Sequence, residues 1–279
     1  MKAKYLILTL TSLLFVGKSI AQDGSTNESK KWRFGLKIAP SLNWLTPVDK
    51  REFNGGTGVG FNWGLVIEKK LAERISISTG FEVNHEGGKI DFVGTNDQGD
   101  IDFFYYIDEN YDFVETEQNS NGNYVPSDTS NIGRINLTKR RYSNTYVTIP
   151  FGIKMKSSEI GYITYFGEFG GNFSLLWNSR VRDEADASLS LTPNGVDQND
   201  LKKLSNYSDM QIGRIQLLFG GGLEYNLSGT TSLFGALHYN LGFTNVARKN
   251  SKYLVNSSNE RVSQNFSAHG IRLTVGVLF

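Results

Sequence analysis

The chain has 279 residues, with 30 glycines, 5 prolines, no cysteine and 13% aromatic residues. Lys and Arg (29) nearly balance Asp and Glu (28), so no overall field draws the chain to nucleic acid or an acidic substrate. Absent cysteine excludes disulfides, thiol catalysis, cysteine-built zinc or iron–sulfur sites, and anchoring through an N-terminal lipidated cysteine.

Lys2 and Lys4 precede an apolar run from Tyr5 to Val16, and Ser19-Ile20-Ala21 follows with small residues. That order predicts a secretory signal over residues 1–21, cleaved after Ala21. The run is too short for a spanning helix, which needs about 20 apolar residues. Loss of Lys2, Lys4 and Lys18 tips the mature chain slightly acidic. Residues 22–31 are polar and read as a flexible lead-in, leaving 32–279 as one domain.

From there the pattern has period two, the signature of strands and not of an amphipathic helix. Apolar residues occupy alternate positions at Phe34/Leu36/Ile38, then Val59/Phe61/Trp63/Leu65/Ile67, then Ile75/Ile77/Phe81/Val83. Val147/Ile149/Phe151/Ile153 follow, and then Ile163/Tyr165/Phe169/Phe173/Leu175/Trp177. The last three runs are Ile215/Leu217/Phe219/Leu223/Tyr225, Leu233/Leu237/Tyr239/Leu241/Phe243 and Ile271/Leu273/Val275/Val277/Phe279.

The connections alternate strictly. Short turns fall near 70–73, 157–160 and 227–230, and long links near 46–56, 94–141, 179–208 and 246–264. Short periplasmic turns and long outer loops mark a transmembrane barrel. The predicted fold is therefore all-β: an eight-stranded antiparallel up-and-down transmembrane β-barrel in the outer membrane, surrounded by lipid.

The face opposite the apolar one carries Arg33, Lys37, Glu68, Glu82, Glu86, Lys154, Glu168, Arg214, Glu224 and Arg272, and is crowded with glycine. Small residues belong where space is tight, so this face is expected to point into the lumen. Trp32, Trp44, Tyr142, Tyr162, Trp177, Tyr225 and Tyr239 are expected in the interfacial girdles. An aromatic last residue, Phe279, on the lipid face looks like the sorting signal read by the barrel assembly machinery.

The segment Tyr146–Lys156 (YVTIPFGIKMK), a short turn and Tyr162–Gly171 (YITYFGEFGG) resemble small outer-membrane barrels of the PorT-like type found in Bacteroidota. The resemblance implies an eight-stranded outer-membrane barrel. The namesake of that group is associated with type IX protein secretion.

Five basic and five acidic inward residues should pair, because an unpaired buried charge is costly. That predicts a closed, ion-paired lumen. His85, His238 and His269 form no catalytic motif or metal-ligand spacing, so no enzyme activity, metal or cofactor is expected. Gly55–Gly60 (GGTGVG) lacks the Lys-Ser/Thr and the following helix of a phosphate-binding loop.

Residues 97–117 hold eight acids and no base, interleaved with aromatics. They read as an outer loop, with Asp100, Asp102, Phe104, Tyr106 and Asp108 as a candidate interaction surface. The expected function is a non-catalytic barrel serving envelope organisation or a secretion or surface complex. A small-solute or ion channel is the alternative reading.

Overall fold

The computed structural model describes residues 31–96, 98–100, 102–128, 130–186, 190–191, 208–229 and 231–279. The predicted signal and nearly all of the lead-in lie outside them, as does Asp97 of the acidic stretch.

In chain order the strands are β1 (Trp32–Pro47), β2 (Phe53–Ala72), β3 (Ile75–Phe92), β4 (Phe103–Ile107), β5 (Phe113–Val114), β6 (Thr116–Gln118) and β7 (Tyr124–Pro126). Then come β8 (Gly133–Lys156), β9 (Ile163–Ala185), β10 (Gly213–Ser228), β11 (Thr231–Gly242), β12 (Asn250–Asn256), β13 (Arg261–Ser263) and β14 (Phe266–Leu278). Strands β1, β2, β3, β8, β9, β10, β11 and β14 pair antiparallel in succession, and β14 returns to β1 through Leu36↔Val277 and Trp44↔His269. Closure leaves this ring without an edge whose backbone groups would go unpaired in hydrocarbon.

The faces follow from the alternation. Leu36, Ile38, Trp63, Phe151, Phe173 and Leu237 project outward and are exposed, whereas Lys37, Glu82, Thr148, Asn172 and Arg272 point inward. Glycine serves the inner face by giving up volume: a Cβ on Gly152 would sit 2.9 Å from Glu168 Oε1, and one on Gly220 would run into the His238 ring.

Strands reach further than the apolar alternation indicates. The expected link at 46–56 shrinks to residues 48–52, and β3, β8 and β9 run on to Phe92, back to Gly133 and on to Ala185. The reason is a change of chemistry on one unchanging face. Along β1 the inward series is Arg33, Lys37, Ser41, Asn43, Leu45, and along β3 it is Glu82, Asn84, Glu86, Ile90, Phe92. Past the membrane zone the outside meets water, so apolar side chains turn inward.

There they form one core with Tyr105, Ile135, Leu137, Tyr142, Val181, Leu254 and Phe266. Phe53 anchors it, with ring centroids 5.5 Å from Phe92, 5.3 Å from Phe103 and 5.7 Å from Phe266. Strand β4 adds to β8 (Tyr105↔Ile135) where β3 has ended, and β12 adds to β4. The outer segments thus build an apolar cap over the barrel end. Tyr142, expected in a girdle, is a correction: it lies inside this cap, 4% exposed.

Trp177 marks the changeover on β9. The register jumps from Tyr146↔Leu176 to Thr145↔Asn178, so Trp177 is the extra residue of a bulge. Below it Phe173 and Leu175 face out, and above it Arg180 and Arg182 do. A bulge moves the following side chains to the other face.

Candidate functional site

The inward charges are held on strands that bring them together in three tiers along the barrel axis. Nearest the short turns, Lys154 lies 3.4 Å from Glu68 and also contacts Glu224, while Arg33 Nη1 donates to Glu224 Oε2 at 2.8 Å. Lys156 joins this tier, contacting Glu68 and lying 3.0 Å from Glu224. Above the Lys154 ammonium sits the Phe166 ring, 3.8 Å away.

In the middle tier Glu82 accepts from Arg272 Nη1 at 2.8 Å and is paired with Lys37. Beside it His238 Nε2 is 3.2 Å from Glu168 Oε2 and its Nδ1 is 3.1 Å from Thr274 Oγ1. In the upper tier Arg214 grips Glu86 with two bonds, 2.7 and 2.8 Å, and its guanidinium stacks 4.0 Å from the Tyr146 ring centre. Between the tiers Thr148, Ser174, Asn84, Asn172 and Asn240 are linked by hydrogen bonds. The structure therefore gathers Arg33, Lys37, Glu68, Glu82, Glu86, Lys154, Glu168, Arg214, Glu224 and Arg272 into one axial column, each opposite a group of the other sign or a histidine.

Sequence reasoning missed three contributors. Lys156 has the inward parity of Lys154 and was legible from it. His238 shares the face of Ala236 and Asn240, so its lumen position was legible but its partner Glu168 was not. The third is a small apolar cluster inside the lower lumen, formed by Val66, Phe166, Phe234 and Leu278. Its signal is weak, because Phe166 and Phe234 each follow an outward aromatic or aliphatic residue and read as noise in the alternation.

Beside Arg214, Glu86, Asn43 and Tyr142 the cavity measures about 10 Å³, no more than a single water requires. At the short-turn end the barrel opens into a vestibule of about 470 Å³ lined by Arg33, Glu68, Arg74, Lys156, Glu224 and Ser232.

The acidic outer stretch is placed differently from the expected surface. Phe104 is a correction: it is 2% exposed, clamped between β8 and β12 with the Arg134 guanidinium 3.7 Å from its ring. Tyr106 is half-buried and packs edge-on against Phe104 at 5.8 Å. The acidic residues serve local structure to different degrees. Asp108 Oδ1 accepts from the Asn110 and Asp112 amides, Asp102 Oδ1 accepts from the Ser257 amide, and the Asp100 amide donates to Asn96. Among the described residues no group of three His, Asp or Glu side chains is placed to hold a metal ion.

Deeper in the cap, Arg140 and Asp183 form a fully buried pair, with Nε donating to Oδ1 at 2.7 Å. The Tyr105 ring stacks 5.3 Å from that guanidinium. Burial, reinforced by the Asp183 charge, pushes the Tyr105 hydroxyl well above the ordinary tyrosine range.

Among the described residues a Ser–His pair lies near the outer rim: Ser267 Oγ is 2.9 Å from His269 Nε2. The Gly242 amide donates to His269 Nδ1 at 3.4 Å.

Phe279 ends the chain outside the barrel wall, 49% exposed, and its amide bonds to the Phe34 carbonyl at 2.7 Å.

No curated protein matches the chain in sequence. Among solved structures it is similar to Neisserial surface protein A (9% identity, 88% of this chain and 95% of that one, TM-score 0.37). It is also similar to OprG from Pseudomonas aeruginosa (9% identity, 88% and 95%, TM-score 0.38) and to Ail of Yersinia pestis (11% identity, 88% and 98%, TM-score 0.33). A family model described as "Outer membrane protein beta-barrel domain" matches residues 20–248. The chain belongs to that family of outer-membrane β-barrels.

Proposed function

We propose that this is a non-catalytic barrel whose lumen is closed to solutes, and that it serves envelope organisation or a secretion or surface complex through its outer and periplasmic ends. The observation carrying this reading is the axial column of paired charges, with about 10 Å³ free beside Arg214 and an apolar cap above it. Opening a path would require separating pairs in all three tiers, and uncovering one buried partner costs about 3–5 kcal/mol. The proposal includes export by a signal removed after Ala21, assembly through Phe279, and kinship with the PorT-like barrels and their link to type IX secretion.

Planar-bilayer recording from the purified chain tests the closed lumen. The expected result is no stable conductance, and steady large openings would overturn it. The alternative reading, a small-solute or ion channel, draws on the vestibule of about 470 Å³ at one mouth. For the partner role, native purification in mild detergent and mass spectrometry are expected to recover envelope proteins. Loss of those proteins on replacing Asp100 and Asp108 with Asn would map the contact to the outer rim, whereas a barrel that always purifies alone counts against a partner.

A further inference from the structure

Just above the lipid-facing band, the outer wall of β3, β8 and β9 carries a row of cations. The register sets Lys89 opposite Arg141, and Arg141 opposite Arg182. Lys139 and Arg180 flank the row one outward position away on β8 and β9. Like charges directly opposite one another across strands destabilise a sheet, so such a row calls for counter-charge.

The neighbouring acids supply only part of it. Asp91 lies 3.9 Å from Lys89 and 4.0 Å from Lys139, and Glu184 lies 2.9 Å from Lys139 and 3.3 Å from Arg141. Five cations thus face two carboxylates. Among the described residues Arg180 and Arg182 have no ion pair, and both are exposed.

Position points to the missing anion. Along β9 the outward residues run Phe173, Leu175, Trp177, Arg180, Arg182. The bulge leaves Leu176 opposite Tyr146 and Arg180 opposite Ser143, so at about 3.3 Å of rise per ladder step Arg180 stands roughly 8 Å beyond Trp177 along the strand. Tryptophan marks the headgroup boundary, so the arginines lie at the depth of lipid headgroups. The row is also one-sided: Lys89 faces Gly56 on β2, and the outward positions that continue the wall there and on β1 and β14 are Asn54, Thr57, Thr46 and Ser267. Arginine forks match phosphate oxygens with two parallel bonds.

We infer that the β3–β8–β9 wall binds the phosphorylated headgroup of an outer-leaflet lipid, held by Arg180, Arg182 and Arg141. The ligand class is a phosphomonoester-bearing glycolipid whose acyl chains lie on the apolar face below, around Phe173 and Leu175.

The test is native mass spectrometry of the full chain, released from detergent with bis-phosphorylated lipid A, with its dephosphorylated form, or with lipid A plus millimolar inorganic phosphate. The expected result is retention of phosphorylated lipid at least ten-fold above the dephosphorylated form, undiminished by phosphate. Arg180→Gln with Arg182→Gln should lower that retention at least ten-fold, while Lys50→Gln, an exposed cation on the first outer link, should leave it unchanged. Arg141→Gln as a separate variant should weaken retention in the same sense, which guards against misfolding of the double variant. Equal retention of both lipids, equal loss with Lys50→Gln, or displacement by free phosphate would each overturn the assignment.

Discussion

The same eight strands enclose two different interiors. In the membrane-level half the inner face is ionic: Glu82 between Lys37 and Arg272, and Glu86 clasped by Arg214. In the outer half the inner face is mainly hydrocarbon, with Ile90, Phe92, Leu137 and Phe266 close-packed beneath β4 around a buried ion pair, Arg140–Asp183. Strand parity, reset at bulges such as the one at Trp177, decides which side chains point inward. What surrounds the wall decides their chemistry: lipid outside leaves the polar residues within, and water outside puts the apolar ones there.

Breaking the ionic interior should cost most. Glu82→Ala removes the carboxylate that Lys37 and Arg272 share, and about 3–5 kcal/mol of stability should be lost in urea unfolding from lipid bilayers. Replacing Lys37, Glu82 and Arg272 together by Met should recover most of that loss. If the single and triple variants unfold alike, charge pairing is not what holds the column.

The cap should respond to lost volume instead. Leu137→Ala, at a fully buried position, should cost about 2–5 kcal/mol and raise protease sensitivity of the outer segments first. Uniform loss across both halves would argue that they form a single cooperative unit.

A third contrast is titration. Because the Tyr105 hydroxyl is raised, the folded cap binds a proton that the unfolded chain releases near the ordinary tyrosine value. The stabilisation is complete below pH 10 and falls as pH rises beyond it. Tyr105→Phe should flatten that alkaline fall when cap unfolding is followed by near-ultraviolet circular dichroism. An equally steep fall in the variant would place the titrating group elsewhere.

The smallest effect belongs to the exposed pairs. Glu184 is held below the usual carboxylate range by its bond from Lys139, yet it faces water. Glu184→Gln should change stability by less than about 1 kcal/mol. A loss approaching that of Glu82→Ala would erase the distinction between buried and exposed charge.

Much of the membrane-level half was legible in the sequence, because lipid outside and charge inside write a strict two-residue alternation. Phe34, Leu36 and Ile38 against Arg33 and Lys37 is enough to place β1 and its faces. The outer half was not legible in the same way. Leu45 faces inward, so on β1 the apolar positions change sides relative to Leu36 and the alternation breaks off. On β2 a register shift between Gly56 and Phe61 puts Phe53 inside although it shares the parity of the outward Val59. The Trp177 bulge hides the extension of β9 for the same reason. Individual partners, such as Glu168 for His238 across 70 residues of chain, depend on barrel closure and register, which no local pattern encodes. Phe104 lies elsewhere than expected because interleaved acids and aromatics look like an exposed loop, whereas Asp108 closes a turn and Phe103, Phe104 and Tyr105 are buried in the cap.

Native absence of cysteine makes the central claim directly measurable. Single cysteines at Ser174 and Thr148 in the column, at Ser232 in the vestibule and at Leu237 on the lipid face can be challenged in proteoliposomes with a charged, water-soluble thiosulfonate. The ion-paired, closed interior predicts modification at Ser232 alone; rapid modification at Ser174 or Thr148 would contradict it.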